Sequence, residues 1–214
     1  NDPLYFNNIQ EYSKIISQKN ALLRQGKIEQ IQLWNEMLAK SAVQLMKHRN
    51  SYVEQVNQHL NDIFKNISGR TETLKLIYKP SLNSADYEEK NCLHQLENSL
   101  PRDLQYGFAV LGPHRDEYHL MMDGKKDRDF FSQGEFRITN LSLKMTINRL
   151  FYEEYQFYPV LIFDDLFSEL DDEVIKNVFQ YFLTLKNQIF ITSTSEPSGP
   201  MTVKKFNIVK GELV

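Results

Sequence analysis

Two adjacent aspartates, Asp164 and Asp165, close the apolar run in "PVLIFDD". Carboxylates at the end of a buried strand face the crevice where open α/β sheets take their ligands. One carboxylate there can hold Mg²⁺ through water, because that ion prefers oxygen ligands and keeps much of its hydration shell. Its neighbour can orient or deprotonate an attacking water. Upstream, "FFSQGEF" sets Ser132 and Gly134 just before a helical run. The amides at a helix start carry partial positive charge and suit a phosphate. Downstream, "SELDD" sets Ser168 three residues before Asp171, the spacing of a capping box that opens the next helix. Each piece also has a plain structural role: an acid pair begins a solvated loop, and a serine before a helix caps it.

Positioning these residues takes particular elements. Apolar residues at Ile9, Tyr12, Ile16 and Leu23 have helical spacing, and Gly26 supplies a cap. Ile31, Trp34, Leu38, Ala42, Leu45, Val53, Val56, Leu60 and Ile63 then step by threes and fours, apart from a break at Arg49. A helix of some thirty residues is about 50 Å long at the usual rise. The two helices predict an antiparallel hairpin, a projecting arm over residues 1–70, followed by a head over 71–214. "TLKLIYKP" alternates as a strand that Pro80 ends, helical segments run around Tyr87 to Leu100, and Pro101 breaks them. "YGFAVLGPHRDEYHLMMDGKKDRDFF" reads as strands, turned at Asp123-Gly124. Arg137 to Phe151 is helical and apolar on more than one side, which predicts a buried helix. "VLIF" and "QIFIT" read as strands buried inside a parallel sheet, separated by an amphipathic helix through Val174, Val178, Phe179, Phe182 and Leu185. "SEPSGP" reads as a loop and "FNIVKGELV" as a closing, hairpin-like strand. Strand, helix, strand at this spacing is α/β wiring.

The 214 residues are 41% apolar and 25% charged, with a formal net charge of -3. That is a soluble globular composition with no global basic field. The charge is uneven: Ser13 to Arg70 holds nine Lys/Arg against four Asp/Glu, so the remainder is acidic. The single cysteine, Cys92, excludes an internal disulfide and fits a packed residue in a reducing compartment. His114 and His119 are five apart in extended sequence, point to opposite faces and form no joint metal site. No apolar run approaches a membrane span, and the start lacks the basic and apolar regions of a signal peptide.

In order and spacing, the loop with Ser132, the buried helix, the strand ending in two acids, the capped helix and the second strand resemble part of an ABC-type ATPase head. "GPHRDEYHLMMDGK", "FSQGEFRITNLSLKM" and "PVLIFDDLFSELDD", with "SQKNALLRQGK", "LWNEMLA" and "RDLQYG" upstream, resemble the RecF family of SMC-like ATPases across nearly the whole chain. The resemblance implies an α/β fold: the C-terminal part of an ABC/SMC-type head with an inserted helical-hairpin arm. It makes Ser132, Gln133 and Gly134 the signature that touches ATP held by a second protomer. It makes Asp164 the acid that holds Mg²⁺ through water and Asp165 the general base or water-positioning residue. Ser168 and Asp171 belong to the inter-protomer loop. Two departures stand out: Glu135 occupies a place where Gln is more usual, and Ser193 and Thr194 follow the second strand where many transporter ATPases have a histidine.

The resemblance also implies a bacterial cytoplasmic protein of recombinational repair. Such a protein dimerises on ATP, binds duplex DNA and gap junctions, and assists RecA loading with RecO and RecR. The basic arm fits contact with a phosphate backbone. Other readings are the head of a nuclease-associated SMC-like ATPase of genome defence, and a scaffold without turnover. The phosphate loop G-x-x-x-x-G-K-[ST] is the missing half of the site, since neither Gly26-Lys27 nor Gly124-Lys125 has a glycine five residues before it. It is expected in a lobe that precedes this segment, which leaves the segment alone without tightly bound cofactor and without turnover.

Overall fold

A computed structural model describes residues 3–83, 87–126, 131–194, 204–209 and 212–213. The elements are α1 (Pro3–Gln25), α2 (Ile31–Ser68), β1 (Leu74–Lys79), α3 (Glu89–Asn98), α4 (Leu100–Tyr106), β2 (Glu117–Met122), β3 (Lys125–Lys126), α5 (Gln133–Tyr155), β4 (Leu161–Phe163), α6 (Asp172–Leu183), β5 (Ile189–Ile191), β6 (Ile208–Val209) and β7 (Glu212–Leu213). They form two compact units, one of Asn1–Gln58 with Lys75–Lys126, the other of His59–Leu74 with Asp127–Val214.

In the first unit, α1 ends where Gly26 turns left-handed at φ 66 and the Gly26 and Lys27 amides bond back to Leu23 and Leu22. Glycine takes that conformation without a Cβ penalty. A 3₁₀ turn at Ile28–Gln30 then opens α2, completing the expected hairpin. The hairpin does not stand free as an arm. Tyr12 and Ile15 of α1 and Leu38, Ala39, Ala42, Leu45 and Met46 of α2 share one core with Leu82 and with Cys92 and Leu96 of α3. The later segment therefore covers the α2 seam, and contacts divide the chain otherwise than at residue 70. Pro101 falls in the first turn of α4, where its missing amide proton costs nothing, so the break it makes is the start of another helix.

The break at Arg49 has a cause. Its guanidinium donates to Asp116 Oδ2 at 2.6 Å, to the Pro113 carbonyl at 2.5 Å and to Tyr5 Oη at 3.2 Å. Asp116, its side chain 1% exposed, also accepts from Tyr78 Oη and from the Ser81 amide. Both carboxylate oxygens thus have donors, which offsets the cost of burying the group. β1, β2 and β3 form one sheet in that order, and β2 and β3 pair antiparallel. Asp123 and Gly124 both have positive φ, as the two-residue turn requires.

In the second unit, α5 starts four residues earlier and ends four later than the periodicity predicts. It buries Thr139, Ser142 and Thr146 completely, each hydroxyl bonded back to the carbonyl three or four residues before. β4 and β5 pair in parallel, Leu161 opposite Ile189 and Phe163 opposite Ile191, with α6 between them in sequence. Phe163 stacks on Phe182 at 5.3 Å and Phe167 packs on Phe179 at 4.6 Å. The sheet is not buried on both faces as expected. Ile162 is 75% exposed, and Val160 and Phe190 are exposed with it, because among the described residues only the face bearing Phe163 is covered. β6 and β7, in the segment read as a hairpin-like strand, pair antiparallel with Ile208 opposite Leu213. The strand read at 127–130 and the loop at 195–200 lie outside the described residues. No described helix is long and apolar enough to cross a membrane.

Candidate nucleotide site

Asp164 and Asp165 leave the end of β4, and the parallel register brings Thr192, just past β5, beside them. Thr192 Oγ1 donates to Asp164 Oδ1 at 2.5 Å and accepts from the Asp165 amide at 3.0 Å. One hydroxyl thus fixes both acids: its only proton points at one carboxylate, and its lone pair holds the next residue's backbone. Asp165 turns left-handed at φ 48, and Glu169 does so again at φ 64. Non-glycine residues held in that region cost about 1–3 kcal/mol each, so surrounding bonds must fix the loop. Arg137 of α5 supplies two of them, donating to the Asp165 carbonyl at 3.0 Å and pairing with Glu169 at 3.4 Å.

The start of α5 lies against the same loop. Gln133, its amide nitrogen turned to the loop, donates to both carboxylate oxygens of Glu169 at 2.9 Å. A Cβ added at Gly134 would sit 3.2 Å from the Glu169 carbonyl, so the glycine permits this close approach. Ser132 caps α5: its hydroxyl accepts from the Glu135 amide at 3.2 Å, and the Glu135 carboxylate accepts from the Ser132 amide at 2.8 Å. Glu135 also pairs with Arg70 at 2.6 Å. The Ser132 amide first and the guanidinium second hold its carboxyl below the usual range. The acid in place of a more usual Gln is thus matched by a cation from the turn after α2. The capping box expected at Ser168 does not form: Asp171, not Ser168, is the N-cap of α6, accepting from the Val174 amide at 2.8 Å. Ser168 lies half-buried in the loop between.

The structure therefore brings Gln133, Gly134, Asp164 and Asp165 into one assembly and adds Thr192, Arg137, Glu169 and Arg70, which sequence reasoning passes over. Thr192 had a signal: it ends the second strand as Asp164 ends the first. Among the described residues no group of three or more His, Cys, Asp or Glu could cage a metal. One fixed carboxylate beside a hydroxyl suits an ion that takes its remaining ligands from water and phosphate oxygens, and Mg²⁺ fits that donor set.

A parallel strand pair ending in fixed acids, with a capped glycine-bearing helix on the acid loop, is part of an ABC/SMC-type ATPase head. In sequence and fold the chain is RecF-like along nearly its whole length. It is 30% identical over 198 residues to the DNA replication and repair protein RecF of Geotalea uraniireducens (strain Rf4), covering 91% of this chain and 54% of that protein. It is 34% identical over 203 residues to RecF of Listeria monocytogenes serotype 4b (strain CLIP80459), covering 90% and 55%. A solved structure of the recombination mediator protein RecF with ATP, in the RecFOR pathway, matches with TM-score 0.79 and 30% identity over 100% of this chain and 58% of that one. No family model matches. The chain spans about half the length of the curated relatives it matches.

Proposed function

We propose that this chain is the signature- and acid-bearing part of an ATP-dependent DNA-binding protein of recombinational repair. The whole protein dimerises on ATP, binds duplex DNA and gap junctions, and assists RecA loading with RecO and RecR. The observation that carries the reading is the assembly of Gln133, Gly134 and Arg137 on the loop of Asp164, Asp165 and Glu169. Ser132, Gln133 and Gly134 present the start of α5 to ATP held by the partner subunit. Asp164, aimed by Thr192, holds Mg²⁺ through water, and Asp165 orients and deprotonates the attacking water. Mg²⁺, when bound, neutralises phosphate charge. Ser168 and Asp171 shape the loop that lies across the dimer. The basic hairpin contacts the DNA backbone.

The test is Asp165→Asn in a full-length protein carrying these residues. The amide keeps the shape and loses the base. Hydrolysis is expected to fall below detection while ATP-driven dimerisation, followed by sedimentation, persists. Normal hydrolysis by the variant would remove Asp165 from the role.

A further inference from the structure

We infer that the second unit holds a further ligand site, a pocket for a small aromatic carboxylate at the end of the β4–β5 pair away from Asp164. The cavity has a volume of about 250 Å³ and is lined by Asn148 and Arg149 of α5, Tyr158 before β4, Tyr181 of α6, and Lys186 and Asn187 before β5. β4 and β5 run parallel, so the residues that enter the strands lie at one end and the acids that leave them at the other. The cavity is therefore separate from the candidate nucleotide site.

Asn148 and Asn187 hold its shape. Each side-chain amide donates to the other's carbonyl, at 3.2 and 3.0 Å, and Asn187 also donates to the Pro159 carbonyl at 2.8 Å. These bonds tie α5 to the approaches of both strands, so the cavity is formed before any ligand enters. Tyr158 stacks on Tyr152, with centroids 4.1 Å apart and planes 13° apart. Tyr181 adds a third ring. Burial pushes its phenol above the usual range, against the pull of Arg149, so it stays a neutral donor. Two cations complete the lining. Glu153 accepts from Arg149 Nε at 2.9 Å and is shared with His59 at 3.3 Å, which leaves the outer guanidinium protons of Arg149 open. Lys186 is exposed and has no carboxylate partner among the described residues.

This lining selects its ligand. Tyrosine rings favour a flat ring in offset contact. A guanidinium and an ammonium beside them favour an anion, and the guanidinium fork matches a carboxylate with two parallel bonds. Drug-sized ligands take about 300 Å³ or more, so 250 Å³ admits a body the size of a single ring and leaves out a nucleotide.

The experiment titrates the isotope-labelled chain by NMR and reads the Asn148 and Asn187 side-chain amides. The probes are benzoate, benzamide as the same ring without the charge, acetate as the charge without the ring, and AMP. Benzoate is expected to shift both amides saturably and to bind about tenfold tighter than benzamide or acetate, near the lower end for a hydrogen bond to a charged group. The double variant Arg149→Gln, Lys186→Gln is expected to bring benzoate to the benzamide level and leave benzamide unchanged, while Lys186→Arg alone keeps the difference. Both side chains are exposed, so these variants test charge rather than folding. Equal affinity for benzoate and benzamide in the unaltered chain overturns the proposal, as does acetate that matches benzoate. So does a benzoate advantage that survives the double variant, equal weakening of both ring compounds in it, or saturation of the same amides by AMP.

Discussion

Thr192 does at one atom what two residues could do only with cost. Its hydroxyl holds the Asp164 carboxylate and the Asp165 amide together, at the loop where the backbone turns left-handed. Thr192→Val keeps the shape and removes both bonds, whereas Thr192→Ser keeps them. In a full-length protein, Thr192→Val is expected to weaken Mg²⁺-dependent nucleotide binding about tenfold, near the lower end for a hydrogen bond to a charged group, and Thr192→Ser to restore it. Calorimetry with and without Mg²⁺ reads the difference, and equal affinities in both variants would remove Thr192 from the site. Glu135 makes a second residue-scale case. Its folded pKa lies below its unfolded value, so its stabilisation is full above about 4.3 and is lost as pH falls through the lower folded pKa. Arg70→Ala is expected to move that loss to higher pH, visible as the titration of the Ser132 amide resonance.

At the scale of elements, α2 shows what periodicity reveals and what it hides. The steps of three and four mark a long helix, and Arg49 is visible in them as an interruption. Its partner Asp116 lies 67 residues away, and no local pattern connects the two. The same limit hid the cover on the seam, because Leu82, Cys92 and Leu96 come from a segment with its own helical pattern. Turn chemistry is local and was legible: Asp123-Gly124 and Gly26 adopt the conformations their types suggest. The cap of α6 was misplaced by three residues because Ser168 and Asp171 are both good cap types. Asp116→Ala would leave Arg49 without its carboxylate partner and the Tyr78 hydroxyl and Ser81 amide without their acceptor. It is expected to cost about 3–5 kcal/mol, as for a broken buried pair, measured by denaturant unfolding with the midpoint of each unit followed separately.

At the scale of the whole molecule, the signature is a claim about two subunits. Ser132 caps its own helix in the structure, and losing a serine cap costs about 1 kcal/mol. A purely local role predicts that this cost falls on monomer and dimer alike. A role toward the partner's ATP predicts that Ser132→Arg, in a full-length protein, spares nucleotide binding at low protein concentration and abolishes the ATP-dependent dimer. Sedimentation with ATP separates the two, and an unchanged dimer leaves only the cap. Gly134→Ala is the control for space, since its Cβ needs the Glu169 carbonyl to give by a few tenths of an ångström.

The open face of the parallel strand pair has a consequence for the chain in solution. Val160 to Phe163 is a short, uncharged, β-prone run, and Ile162 and Phe190 face water side by side on adjacent strands. Runs of that kind seed cross-β aggregation unless charges flank them. Asp164 and Asp165 are those flanking charges, so the acid pair also acts as a gatekeeper. Every neutralising change there reduces colloidal protection along with chemistry. Turbidity growing with concentration in Asp165→Asn, and suppressed by Ile162→Lys, would be the mark of that second duty.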